Sequence, residues 1–201
     1  FRREHHLGQG GLVDDWTPTD FDTYDEAHLE IYTNCDEVEV FHNEKSLGVK
    51  QRPNDASPVR YRLTFQPGTL KAVARNKGEV VAVHEMQTAD RPAVITAAAH
   101  KSTLSKSPDD VSVVRVQLVD ENGTPSPNRD QVLTFEVLGN GELLGVDNGA
   151  RDSHESFQGP QRRTARGQAM AIVRATGDSG SFELKVSGEG LEPVSLKFEI
   201  E

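Results

Sequence analysis

The sequence predicts an all-β chain organised as two tandem immunoglobulin-like β-sandwich domains. Three observations predict it. Short segments of alternating apolar and polar residues recur about every 8–12 residues, separated by Gly, Pro and Asn clusters. No helical period runs longer than a turn or two. A chain of 201 residues with 27% charged and 35% apolar side chains suits two small cores better than one large one.

The elements follow in order. Residues 1–27 lack clean periodicity, and Gly8-Gln9-Gly10-Gly11 is a flexible stretch. They read as an extended N-terminal arm, or linker, that carries the single tryptophan, Trp16. The first sandwich is expected over 28–90. Leu29 and Ile31 mark its opening strand. Val38 and Val40 alternate with Glu37 and Glu39, then Asn43-Glu44 turns the chain into a return strand. Tyr61, Leu63 and Phe65 form the next apolar face, Gln66-Pro67-Gly68 a turn, and Leu70, Ala72 and Ala74 another face. Asn76-Lys77-Gly78 turns into a strand at Glu79–Glu85.

Thr88-Ala89-Asp90-Arg91-Pro92 is the expected joint, and the second sandwich follows over 91–201. Its strands are predicted at Ala93–Ala99, Val111–Val119, Gln131–Val137, Gln168–Ala175, Gly180–Val186 and Pro193–Ile200. The last is the most regular, with Val194, Leu196, Phe198 and Ile200 on one side. The interval Gly139–Gln168 is expected to be one long non-strand stretch. The two halves do not repeat each other in wording.

The stretch Tyr32-Thr33-Asn34-Cys35-Asp36-Glu37-Val38-Glu39-Val40-Phe41-His42-Asn43-Glu44-Lys45-Ser46-Leu47-Gly48 resembles a hairpin in the C-terminal modules of glycoside hydrolase family 2, the β-galactosidase and β-glucuronidase family. Asp147-Asn148-Gly149 followed by Ser153, Glu155, Phe157 and Arg163 is similar to a loop of the same modules, with Ala150-Arg151 in place of the family's Asp-Pro. Separately, Asp120-Glu121-Asn122-Gly123-Thr124-Pro125-Ser126-Pro127 resembles the turn of bacterial, invasin-type Ig-like domains. The glycosidase resemblance implies non-catalytic accessory domains that act as a scaffold or substrate-entrance module. Its implied partner is an upstream (β/α)8 catalytic barrel in a parent enzyme, for which a periplasmic or extracellular setting is favoured. That barrel needs about 250 residues and eight helices, which this sequence does not supply. The chain, which starts at Phe1, reads as cut from something longer. Two other readings stand beside this one: a stand-alone carbohydrate-binding module and a surface adhesin stalk.

Charge narrows the partners. Residues 1–91 hold 11 Lys/Arg against 16 Asp/Glu and residues 92–201 the same, so each half is −5 and the chain −10. Phosphate backbones and anionic membrane surfaces are repelled, so no nucleic acid and no membrane is expected as a partner. No apolar run approaches the length of a membrane span.

Candidate chemistry is sparse. Asp147, Asn148, Ser153, Glu155, Phe157, Arg163 and Trp16 are the candidate contacts to carbohydrate or to a neighbouring domain, since sugar sites pair an aromatic face with fixed polar groups. The alternative is that Asp147, Asn148 and Arg163 hold the loop to its own sheet through a buried Arg–Asp pair. Tyr24, Tyr32 and Phe41 are further aromatics outside the expected cores. Glu37 and Glu39 lie about 7 Å apart by strand rise, a spacing compatible with an inverting glycosidase pair, but alternating Glu on a wet strand face is ordinary. Catalytic residues, metals and cofactors are expected to be absent. Adjacent His5-His6 point apart on an extended chain, and Asp14, Asp15, Asp20 and Asp22 lack EF-hand spacing. Lone Cys35 reads as a packed thiol, and His42, His84, His100 and His154 as surface or edge residues.

Overall fold

The computed structural model describes residues 2–4, 12–18 and 26–201. Every regular element among them is a strand, and no helix is long and apolar enough to cross a membrane. The chain divides into two compact units between Ala89 and Asp90. His5, His6, Asp20, Asp22, Tyr24 and the Gly8–Gly11 run lie outside the described residues.

In the first unit the strands are β1 (Arg2–Glu4), β2 (Leu12–Val13), β3 (Glu26–Ile31), β4 (Glu37–His42), β5 (Lys45–Gln51), β6 (Val59–Thr64), β7 (Thr69–Asn76) and β8 (Glu79–Gln87). They form two antiparallel sheets, ordered β2-β1-β3-β6 and β5-β4-β7-β8. The period-2 pattern is realised directly: Val38, Val40 and His42 of β4 point inward while Glu37, Glu39 and Phe41 are half-buried. Tyr61 joins the two sheets, with its hydroxyl 2.8 Å from the Val38 carbonyl and 3.0 Å from that of Gly48. Cys35 is a free thiol in this core.

Turn chemistry sets the hairpins. Asn43 and Glu44 have φ of 48° and 65°, and Lys77 and Gly78 of 51° and 85°, the left-handed pair that a type I′ turn requires. Asn43 does more than turn. Its amide accepts from Thr69 N–H at 2.8 Å and donates to Pro67 O at 3.0 Å, tying this hairpin to the β6–β7 turn. Gly68 is obligatory there, because its φ is +132° and a Cβ would fall 1.9 Å from Asn43 Oδ1.

Two expectations about the first unit are corrected. His42 is not a surface residue: it is 9% exposed, its Nε2 lies 2.9 Å from Gln66 O, and its ring meets Trp16 edge-on at 5.5 Å. Trp16 is not a candidate contact surface. It is fully buried among the core side chains, 5.0 Å from the Phe65 ring, and a ring without exposure cannot stack on a sugar.

The second unit comprises β9 (Val94–Ala99), β10 (Thr103–Leu104), β11 (Val111–Val119), β12 (Val132–Gly139), β13 (Gly141–Asp147), β14 (Gln161–Arg163), β15 (Gln168–Ala175), β16 (Gly180–Gly188) and β17 (Val194–Ile200). Its sheets run β10-β17-β16-β12-β14 and β13-β15-β11-β9, antiparallel except for the short β10–β17 pairing. Leu118, Leu133, Phe135, Leu184 and Phe198 fill the core between them, with Phe182 and Phe198 stacked at 4.7 Å. Gly141 must lack a side chain, since a Cβ would lie 2.4 Å from the Phe182 ring. The Gly139–Gln168 interval is not one long loop. It contains β13 and β14, and only residues 148–160 between them are irregular.

The Asp120–Pro127 turn is a hydrogen-bond hub. Asp120, 2% exposed, accepts from Asn122 N–H at 2.9 Å, Thr124 N–H at 2.8 Å and Asp90 N–H at 3.0 Å. Ser126 Oγ donates to Asp90 O at 2.8 Å, so both backbone groups of Asp90 are held.

Candidate functional site

The loop of residues 148–160 is organised around a buried guanidinium. β14 alternates, so Gln161 and Arg163 face out and Arg162 faces in, fully buried. Arg162 pairs with the core residue Leu133 of β12, which fixes its side. Its Nη1 donates to Glu155 O at 2.9 Å, and its Nη2 to Asn148 Oδ1 at 3.0 Å and Asp147 Oδ1 at 3.3 Å. Nε lies 3.8 Å from Glu155 Oε2, beyond hydrogen-bond range, and has no hydrogen-bond partner among the described residues. A buried cation of this kind is retained only when carboxylates and carbonyls surround it.

The loop closes on itself through local turns. Asp147 Oδ1 accepts from Asn148 N–H at 2.7 Å and Gly149 N–H at 3.2 Å, and Asn148 Nδ2 donates to Arg163 O at 2.9 Å. Val146 N–H donates to Phe157 O at 2.9 Å, fastening the far side of the loop to β13. The Phe157 ring is 59% exposed, yet Arg162 Cζ lies 5.0 Å from its centroid. One face of an exposed aromatic is therefore backed by a fixed cation.

Asp147, Asn148, Glu155 and Phe157 thus gather around one centre. Ser153 Oγ accepts from Glu155 N–H at 3.4 Å. Arg163 is not the buried partner expected. Its side chain faces outward and reaches Asp130 O at 3.4 Å, while its N–H donates to Glu155 Oε2 at 3.2 Å. Arg162 was missed because two adjacent arginines in a three-residue strand give no periodicity from which to choose the inward one. Beside the loop root lies a shallow hollow of about 640 Å³ on the outer sheet face, bordered by Thr96, Arg115, Gln117, Asn148, Gln168 and Met170.

Acid–base chemistry finds no free pair here. Asp147 and Glu155 are both engaged with Arg162. In the first unit Glu37 accepts from Gln51 at 2.8 Å, and Glu39 from Ser46 at 2.7 Å and Arg75 at 2.9 Å. The Ser46 hydroxyl, then Arg75, hold Glu39 below the usual carboxylate range, the reverse of what a general acid needs. Among the described residues, no three His, Cys, Asp or Glu side chains gather to hold a metal ion.

The chain is similar to proteins of one family. A family model described as glycoside hydrolase family 2 C-terminal domain 5 matches residues 95–197, and a domain of unknown function, DUF4982, matches 25–82. The β-galactosidase BoGH2A of Bacteroides ovatus is 39% identical over 170 residues, covering 85% of this chain and 20% of that protein. A β-galactosidase of Thermoanaerobacter pseudethanolicus is 25% identical over 134 residues, covering 58% of this chain and 18% of its own length. A family 2 glycosyl hydrolase structure from Bacteroides cellulosilyticus superposes with a TM-score of 0.92 at 26% identity, covering 98% of this chain and 28% of that one. A β-glycosidase structure from Bacteroides vulgatus gives 0.83 at 30% identity, covering 94% and 24%. The chain spans about a fifth of the length of these curated relatives. With the model matched over just over half of its residues, the chain belongs to the C-terminal accessory domains of glycoside hydrolase family 2.

Proposed function

We propose that this chain is a non-catalytic C-terminal part of a β-galactosidase-like family 2 glycoside hydrolase, serving as scaffold and substrate-entrance module for an upstream catalytic barrel. One observation carries the reading: 85% of the chain aligns at 39% identity with a fifth of a β-galactosidase. The chemistry of the site supports it, because the carboxylates that come together are already committed to arginines. The two compact units support a division into two accessory sandwiches.

In this reading the loop of residues 148–160 is the working edge. Asp147, Asn148 and Glu155 fix Arg162, and Arg162 fixes Phe157. Phe157 then offers an aromatic face, and Ser153 and Arg163 are further polar contacts to a sugar or to the catalytic module. An aromatic immobilised in advance loses little entropy on contact, which is the advantage of the clasp.

The test uses the 201-residue chain and the full parent enzyme. The chain alone is expected to give no turnover of an aryl β-galactoside, while the parent hydrolyses it. In the parent, Phe157→Ala raises KM for oligosaccharides on the order of tenfold with kcat unchanged, the signature of lost uniform binding. Turnover by the chain alone overturns the accessory reading. Sugar affinity of the chain alone supports the stand-alone binding module instead, and repeated copies of the second sandwich with a surface anchor support the stalk.

A further inference from the structure

The outermost strand of the first unit is an exposed sheet edge. β8 pairs with β7 on one side and has no strand on the other among the described residues. Its side chains from Glu79 to Glu85 are exposed on both faces, and Val80, Val81 and Val83 are 58%, 56% and 53% exposed. Directly beside them, Ala72, Val73 and Ala74 of β7 are 6%, 7% and 9% exposed, so the sheet's own burial ends one strand earlier. On the outer face Val83 lies across from Val73, and Val73 across from Glu39, whose other neighbour is the exposed Val49. A free strand edge carrying β-branched residues is a template for pairing, and soluble proteins blunt it with charge or cover it. Here the charges, Glu79 and Glu85, stand only at the ends of the run, about 20 Å apart by strand rise.

We propose that β8 docks the upstream catalytic module of the parent polypeptide, through a face of that module that is apolar at its centre and basic at its two ends. The inference rests on the parent reading given above. Two arguments select this occupant over a second copy of the chain. The chain carries a net charge of −10, so two copies repel, and an antiparallel β8–β8 pairing centred on Ala82 sets Glu79 against Glu85 twice. The β-galactosidase relative is about five times as long as the stretch matched here. A tethered partner needs far less buried area than a free one, because the linkage supplies a high effective concentration.

Hydrogen exchange of residues 79–87 decides it, measured in the 201-residue chain and in the full-length parent. Docking is expected to slow exchange of β8 on the order of tenfold or more in the parent, independent of protein concentration. Val83→Lys should abolish that protection in the parent while leaving the melting temperature of the chain alone unchanged, since Val83 is already half exposed. Equal exchange rates in an active parent overturn the docking surface and leave the parent reading intact. Protection in a full-length protein without glycosidase activity supports the surface and overturns the parent reading. Slow exchange already in the chain alone, or protection that rises with its concentration, overturns the proposal.

Discussion

Arg162 is fully buried while Phe157, 5.0 Å from its guanidinium carbon, remains 59% exposed. The cation is spent inside the unit, and its consequence shows on the surface. Removing it should act twice. Arg162→Ala is expected to cost about 3–5 kcal/mol, because Asp147, Asn148 and the Glu155 carbonyl lose their shared donor. Arg162→Lys should rescue little, since an ammonium lacks the planar fork. Arg163→Ala should stay within about 1 kcal/mol. Urea unfolding of the three variants, with exchange of residues 147–163, checks the ranking.

Asp120 sets an acid limit on the second unit. Burial opposes its charge, but the N–H groups of Asp90, Thr124 and Asn122 outweigh that and hold its carboxyl below the usual range. A depressed folded value contributes stability that is present above the unfolded pKa and lost as pH falls through the folded one. The second unit should therefore weaken below about pH 4. Asp120→Ala should remove that part of the acid dependence and cost about 2–3 kcal/mol at neutral pH. Thermal melts from pH 2 to 7 read both.

Tyr61 sets an alkaline limit on the first unit. Burial, and then the charge of Glu39, push its hydroxyl up to about 12. A raised folded value stabilises fully below the unfolded pKa and is lost as pH rises through the folded one. The first unit should lose stability between about pH 10 and 12. Tyr61→Phe should flatten that loss and cost about 1 kcal/mol at pH 7, from the contacts to Val38 and Gly48.

Trp16 should report on folding and not on sugar. Its emission is expected to be blue-shifted and inaccessible to acrylamide in the folded chain, and unchanged by galactosides. Trp16→Ala should cost about 3–5 kcal/mol through the cavity it leaves. Trp16→Phe should cost less, because the indole N–H is buried without a hydrogen-bond partner among the described residues. A sugar-dependent emission change would contradict its burial.

Sequence alone determined the strands whose side chains alternate and the hairpins whose turns need left-handed residues. β11 and β15 fall at their expected bounds, and Asn43-Glu44 and Lys77-Gly78 turn where their chemistry demands. Those signals are local, since period 2 and positive φ are properties of a few neighbouring residues. Tertiary structure alone decided the rest. β13 is half-buried along most of its length and broken by a bulge between Leu143 and Gly145, so it never alternates. β14 and β10 are three and two residues long and exist only because β12 and β17 pair with them. The choice of Arg162 over Arg163, and the burial of Trp16 and His42, depend on which long-range partner lies opposite, which composition and spacing along the chain do not encode.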